Sequence, residues 1–229
     1  KVGSGLDDLA FLQYTGGTTG VSKGAMLLQR QVLANVMQMD AWVAPALGDV
    51  AQGGFNTVSL LPLYHIFALT FCLLWGLRNG LHNHLVANPR DMAASIAGLA
   101  GVKIHILPGV NTLFGGLMAH PDFKQLDLSE LRLAVGGGAA VHQAVAERWM
   151  AATGVPIVEG YGLSETSPMA TCNLATAKRW TGGIGLPVPN TEIAIRDDDG
   201  QDVAPGERGE ICIRGPQVMA GYWQRPDET

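Results

Sequence analysis

Between Ala10 and Glu159, short runs of apolar and β-branched residues alternate with longer stretches whose apolar positions recur at helical spacing. No other feature of the sequence constrains the fold as strongly. Strand, helix and strand in one sheet connect through a right-handed crossover, so such a chain closes into a mostly parallel sheet flanked by helices, an α/β fold. Strands are predicted over 10–14, 57–61, 84–86, 103–107, 131–135 and 156–159, and helices over 27–43, 66–77, 88–99, 110–119 and 141–152. The helix at 88–99 reads as opening on Asn88-Pro89-Arg90-Asp91, with proline in its first turn. The character then changes. Residues 191–196 and 209–214 alternate with period two around the turn Asp197-Asp198-Asp199-Gly200, and no helical pattern follows Ala177. An α/β subdomain over 1–180 and an incomplete β-rich subdomain over 181–229 are therefore expected.

Composition excludes several functions. With 229 residues, 47% hydrophobic and 15% charged, the chain builds a sizeable core and is no disordered segment. A net charge of −5 without a Lys/Arg block argues against nucleic acid as a partner. Cys72, Cys172 and Cys212 are odd in number and far apart, which fits a reducing cytoplasm rather than a disulfide framework or a zinc cluster. From Val50 to Leu77 there is no Asp, Glu, Lys or Arg, but Pro62, Tyr64 and His65 interrupt the run. The apolar remainder, 66–77, falls short of the roughly 20 residues a span requires, so it reads as a core helix.

Tyr14-Thr15-Gly16-Gly17-Thr18-Thr19-Gly20-Val21-Ser22-Lys23-Gly24 reads as a loop between a strand and a helix. Glycine amides, hydroxyl donors and one lysine are what a polyphosphate requires. No Gly-Lys-Ser/Thr triplet is present, so the loop is not a Walker P-loop. Glu159-Gly160-Tyr161-Gly162-Leu163-Ser164-Glu165-Thr166 offers a ring to stack on a base, hydroxyls for a phosphate and a hard carboxylate for Mg²⁺. It lacks the final glycine of a nucleophile elbow. Gly136-Gly137-Gly138-Ala139 ends a strand without side chains, where a flat ring can approach the backbone, and it is not GxGxxG. His65 lies among aromatic residues, and no histidine shows metal-ligand spacing.

The first two segments, in this order, resemble the two signatures of the adenylate-forming enzymes, the superfamily of acyl-CoA synthetases, luciferases and peptide-synthetase adenylation domains. Gly183-Ile184-Gly185-Leu186-Pro187 and Gly206-Glu207-Arg208-Gly209-Glu210 resemble stretches leading into that family's small β-barrel subdomain. Pro62-Leu63-Tyr64-His65-Ile66-Phe67, Gly109-Val110-Asn111-Thr112-Leu113-Phe114 and Gly215-Pro216-Gln217-Val218-Met219-Ala220-Gly221-Tyr222-Trp223 are similar to the bacterial long-chain fatty acyl-CoA synthetases. The resemblance implies a central fragment of the large domain of an AMP-forming acid–thiol ligase. A fatty carboxylate attacks the α-phosphorus of ATP, pyrophosphate leaves, and coenzyme A displaces AMP from the acyl-adenylate.

The site residues follow from the resemblance. Thr15, Gly16, Gly17, Thr18, Thr19, Gly20 and Lys23 would hold the leaving pyrophosphate, with Tyr14 beside them in the ATP site, and Thr15 with Glu165 would bind Mg²⁺. Tyr161, Gly137 and Gly138 would receive adenine, with Ala139, Glu159, Gly160 and Gly162 in the same nucleotide site, and Ser164 or Thr166 would contact the α-phosphate. Lys23, Glu165 and Thr166 are the catalytic candidates. His65, Val110 and Leu113 would line the acyl site, with Phe114 and Leu117 as further pocket candidates. The family's ribose-binding Asp and its C-terminal lid lysine are not within this sequence, so the fragment alone is expected to be inactive. The parent is expected to be cytoplasmic, in peripheral contact with the inner membrane at most. Two alternatives stand beside this reading: another adenylating ligase, for short or aromatic acids or directed to a carrier protein, and a non-catalytic nucleotide-binding module.

Overall fold

Residues 3–15, 21–48 and 54–229 are described by a computed structural model. Strand β1 (Leu9–Thr15) pairs antiparallel with β2 (Lys23–Leu28), setting Tyr14 opposite Gly24 and Thr15 opposite Lys23. The Gly/Thr loop therefore joins two strands of a hairpin, not a strand and a helix as the sequence suggested. The reason is local. Ala25 and Leu27 are both fully buried, a period-two pattern that a strand satisfies. The helix α1 (Gln29–Leu47) starts only where the Gln31 side chain accepts a hydrogen bond from Leu28 N at 2.8 Å. Along it Val32, Val36, Met39, Val43 and Leu47 are buried, at the spacing of a single helix face.

The main sheet has seven strands. β4 (His82–Leu85), β3 (Asn56–Ser59), β5 (Ile106–Gly109), β6 (Leu133–Gly136) and β7 (Ile157–Gly162) run parallel in that spatial order. β8 (Met169–Cys172) and β9 (Leu186–Pro187) add antiparallel at the far edge. The parallel sheet with helices on both faces is the α/β architecture expected. β8 and β9 had no counterpart in the prediction, and β9 lies past Thr181.

Alternation along each buried strand divides the interior into two cores. Ile106, Leu133, Val135 and Val158 face α1 and the segment Ala68–Trp75. Leu107, Ala134 and Ile157 face the opposite way, toward α4 (Asn111–Ala119) and α5 (Gln143–Thr153). There Phe114 meets Trp149 edge-on, with ring centroids 4.9 Å apart. Ala68–Trp75 is not α-helical but π-helical, and it continues into the single turn α2 (Gly76–Arg78). Its Phe71 stacks on Trp75 at 5.0 Å. The helix predicted at 88–99 begins instead at Met92 as α3 (Met92–Gly98). Asp91 caps it by accepting from Ala94 N at 2.9 Å, which leaves Pro89 outside.

A separate hairpin, β10 (Glu192–Arg196) and β11 (Glu210–Arg214), follows. Its base is tied to α1 by a buried amide group: Gln38 donates to Pro189 O at 2.7 Å and to Gln217 Oε1 at 3.1 Å. Beyond it, residues 219–223 run along the free edge of β2. Ala220 N donates to Met26 O, Met26 N to Gly221 O and Trp223 N to Gly24 O, at 2.8–3.0 Å. No helix among the described residues is long and apolar enough to cross a membrane.

Candidate active site

A cavity of about 510 Å³ opens at the carboxyl ends of β6 and β7, between the sheet, α1, the π-helical segment and the end of β1. Ligands of parallel α/β sheets bind at this end of the strands. Tyr14, Thr15, His65, Gly137, Gly138, Gly160, Tyr161, Gly162, Ser164 and Glu165 all line it. Positions far apart in the sequence are thus brought to one surface. Gly16, Gly17, Thr18, Thr19 and Gly20 lie outside the described residues.

Two glycines here cannot be replaced by another residue without movement. Gly138 has φ +76°, a left-handed conformation that a side chain disfavours. At Gly162 a Cβ would stand 1.8 Å from the carbonyl oxygen of Pro168. This close approach lets β7 fold back on β8 and aims the short 3₁₀ turn Ser164–Thr166 at the cavity.

Other predicted residues are placed elsewhere. Thr166 is 2% exposed; its hydroxyl accepts from Leu163 N at 2.9 Å and donates to the Pro168 carbonyl. Glu159 is 7% exposed and outside the cavity wall. Its carboxylate accepts from Val141 N at 2.7 Å and from Trp180 Nε1 at 2.6 Å, tying the glycine-rich turn to the 174–183 loop. Leu113, Phe114 and Leu117 belong to the second core, on the opposite face of the sheet. Val110 packs against that same core, and Ala139 is exposed beyond the cavity rim.

Pattern reading missed the apolar wall. Met39, Trp42 and Val43 from α1, Phe71 from the π-helical segment, and Cys172 and Ala175 supply it. Leu133, Val158 and Ala175 also border a second cavity of about 420 Å³ on the side away from the glycines. Along β6, from Leu133 to Gly136, and into the turn that follows, the wall passes from apolar side chains to bare backbone, over about 10 Å within the strand.

The polar end has a defined electrostatic arrangement. Lys23 is not on the cavity wall. Its Nζ lies 2.7 Å from Glu228 Oε2 and 4.8 Å from the centroid of the Tyr222 ring. Tyr222 Oη donates to Glu165 Oε1 at 2.5 Å. Burial first, then this bond and the nearby Glu165 and Glu228 charges, push the Tyr222 phenol up to about 12, so it remains a donor at neutral pH. The ion pair with Lys23 holds Glu228 below the usual carboxylate range. Partial burial against the cavity wall lowers the pKa of His65. His65 Nδ1 accepts from Phe67 N at 3.2 Å, which assigns the proton to Nε2.

Among the described residues no group of three or more His, Cys, Asp or Glu is placed to hold a metal ion. One carboxylate and one hydroxyl on the wall, Glu165 and Thr15, are hard oxygen donors of the kind that would suit Mg²⁺.

The sequence matches the AMP-binding enzyme family over residues 2–223. The chain belongs to that family. It is 52% identical over 223 residues to a long-chain-fatty-acid–CoA ligase of Salmonella typhi, an alignment covering 97% of this chain and 39% of the relative. It is 34% identical to a feruloyl-CoA synthase of Amycolatopsis, covering 98% of this chain and 44% of that protein. Among solved structures, ATP-bound MatB from Rhodopseudomonas palustris superposes with a TM-score of 0.82 at 29% identity, covering 98% of this chain and 43% of that one. The chain thus spans about 39% of the length of the fatty-acid ligase it resembles.

Proposed function

We propose that this chain is the nucleotide- and acyl-binding core of an ATP-dependent long-chain fatty acid–CoA ligase. The single observation that carries the proposal is the cavity itself. Its wall is hydroxyl, carboxylate and glycine backbone at the strand ends, and apolar along the strands behind them. An amphipathic acid with its carboxylate at the glycine end suits such a wall, and the identity to the Salmonella ligase favours a fatty chain over a feruloyl-type acid.

In this reading Tyr161 and the backbone of Gly137 and Gly138 receive adenine, and Ser164 donates to the α-phosphate. Thr15, the 16–20 loop and Lys23 receive the β- and γ-phosphates. Thr15 and Glu165 hold Mg²⁺, which supplies charge neutralisation when bound. His65 offers Nε2–H at the acyl end. Adenylation needs little covalent help from a protein; it needs an in-line approach of the carboxylate oxygen and compensation of charge on the departing pyrophosphate. The apolar wall excludes water, which would otherwise hydrolyse the acyl-adenylate before coenzyme A reaches it. Thr166 acts by holding the second signature segment in shape, and Glu159 by tying the glycine-rich turn to the 174–183 loop. The parent is proposed to work in the cytoplasm, in peripheral contact with the inner membrane at most.

ATP–pyrophosphate exchange on the full-length protein, across carboxylates from acetate to palmitate with aromatic acids added, tests this. Exchange stimulated chiefly by long fatty acids is expected. Stimulation by an aromatic acid alone would remove the fatty-acid assignment. No exchange with any acid despite ATP binding would replace catalysis by a regulatory role.

A further inference from the structure

Tyr222 touches two of the charged groups assigned above, and its backbone is fixed independently of both. The strap 219–223 hydrogen-bonds to β2 on both sides of it, through Gly221 O and Trp223 N, and Tyr222 N donates to Thr229 Oγ1 at 2.9 Å. The same strap holds the main chain of Glu165, because Met219 N donates to Glu165 O at 2.8 Å. Glu165 is thus held twice, at its backbone by Met219 and at its carboxylate by the Tyr222 hydroxyl. The face of the same ring supports the Lys23 ammonium at 4.8 Å.

We propose that Tyr222 is the positioning residue for the polyphosphate and its cation. Its hydroxyl fixes the Glu165 carboxylate by one oxygen, and its ring sets where Lys23 stands relative to that carboxylate. The proposal rests on the roles given to Glu165 and Lys23 under the proposed function and extends them. A charge-assisted O–H···O⁻ bond selects one rotamer of a flexible acid, so the cation meets a donor already in place. Phenol and ring separate the two roles. Tyr222→Phe removes the hydroxyl and keeps the face over Lys23, whereas Tyr222→Leu removes both.

The test uses the full-length protein and four variants: Tyr222→Phe, Tyr222→Leu, Glu165→Gln and Lys23→Ala. Free Mn²⁺ is followed by electron paramagnetic resonance in the presence of a non-hydrolysable ATP analogue. Inorganic pyrophosphate binding is measured separately by calorimetry without metal. Tyr222→Phe is expected to weaken Mn²⁺ binding about tenfold, the loss of one hydrogen bond to a charged group, and to leave pyrophosphate binding unchanged. Tyr222→Leu is expected to weaken both, and pyrophosphate binding should fall in the same direction as in Lys23→Ala. Wild-type Mn²⁺ binding in Tyr222→Phe, with Glu165→Gln impaired, would overturn the proposal while leaving the proposed function intact. Unimpaired Mn²⁺ binding in Glu165→Gln would overturn both. Circular dichroism controls for folding, and should the leucine variant unfold, the phenylalanine comparison still decides the role of the hydroxyl.

Discussion

Glu159 makes the sharpest quantitative prediction, because its carboxylate is buried and both oxygens are engaged. Oε1 accepts from Val141 N at 2.7 Å and Oε2 from Trp180 Nε1 at 2.6 Å. A hydrogen bond to a charged group contributes about 1.5–3 kcal/mol, and leaving a buried donor unpaired costs a similar amount. Glu159→Gln keeps the volume, but its amide can accept only one of the two bonds and turns an NH₂ toward the other donor. The expected destabilisation is about 2–4 kcal/mol. A double-mutant cycle with Trp180→Phe isolates one of the bonds. Trp180 is half-buried, so the coupling should fall at the lower end, about 1.5–2 kcal/mol. Urea unfolding of wild type, the two single variants and the double variant measures it. Additivity within about 0.5 kcal/mol would show that the Glu159–Trp180 bond is not a stabilising contact and would refute the reasoning.

Gly162→Ala should cost about 3 kcal/mol or more in unfolding experiments, because its Cβ would stand 1.8 Å from a backbone oxygen that cannot swing away. Ala175→Trp should shorten the preferred acid, since Ala175 borders both cavities. Each methylene excluded should lower kcat/KM about fourfold for palmitate relative to octanoate, read from a chain-length series. Burial pushes the Cys72 and Cys172 thiols up to about 12. At pH 8 only about one in 10⁴ of either is then thiolate, so iodoacetamide should modify half-buried Cys212 first. All three should react once urea unfolds the chain, as mass spectrometry would show. Lys23→Ala should slow ATP–pyrophosphate exchange about tenfold or more through lost charge compensation, checked by initial rates at saturating acid.

Legibility in the sequence followed the strength of each local signal. The parallel strands and the helices between them showed through because each carries one periodicity over enough residues. The hairpin strand Lys23–Leu28 did not, because its first two residues read as the end of the glycine/threonine loop and its last two as the start of the helix, which leaves too short a run to show a period of its own. The π-helical segment Ala68–Trp75 is apolar on all sides, and a run without a polar face does not reveal its turn length. Tyr14, Thr15, Tyr161, Ser164 and Glu165 were identifiable because their chemistry is concentrated in two short segments, and the structure places all five on one cavity. Leu113 was misjudged as a pocket candidate for a physical reason. Both faces of the sheet are buried, so an apolar helix next to a glycine motif looks the same in sequence whichever core it fills, and this one fills the core behind the sheet.

Tyr222 shows the complementary failure. It lies within a segment whose resemblance to known ligases was plain, yet no role attached to it, because its two contacts are with residues 57 and 199 positions away. Only the strap on the edge of β2 makes them neighbours. That strap is also why the site is distributed as it is. The hairpin β1–β2 carries Thr15 and Lys23, while the parallel-to-antiparallel reversal at β7–β8 carries Glu165. Neither belongs to the other's sheet. Two charged groups on separate sheets keep a fixed separation only if a third element bonds to both, and residues 219–223 do so through five polar contacts, four of the main chain and one of the Tyr222 side chain. Loosening the strap should therefore impair metal and pyrophosphate binding together, before it affects the apolar half of the cavity.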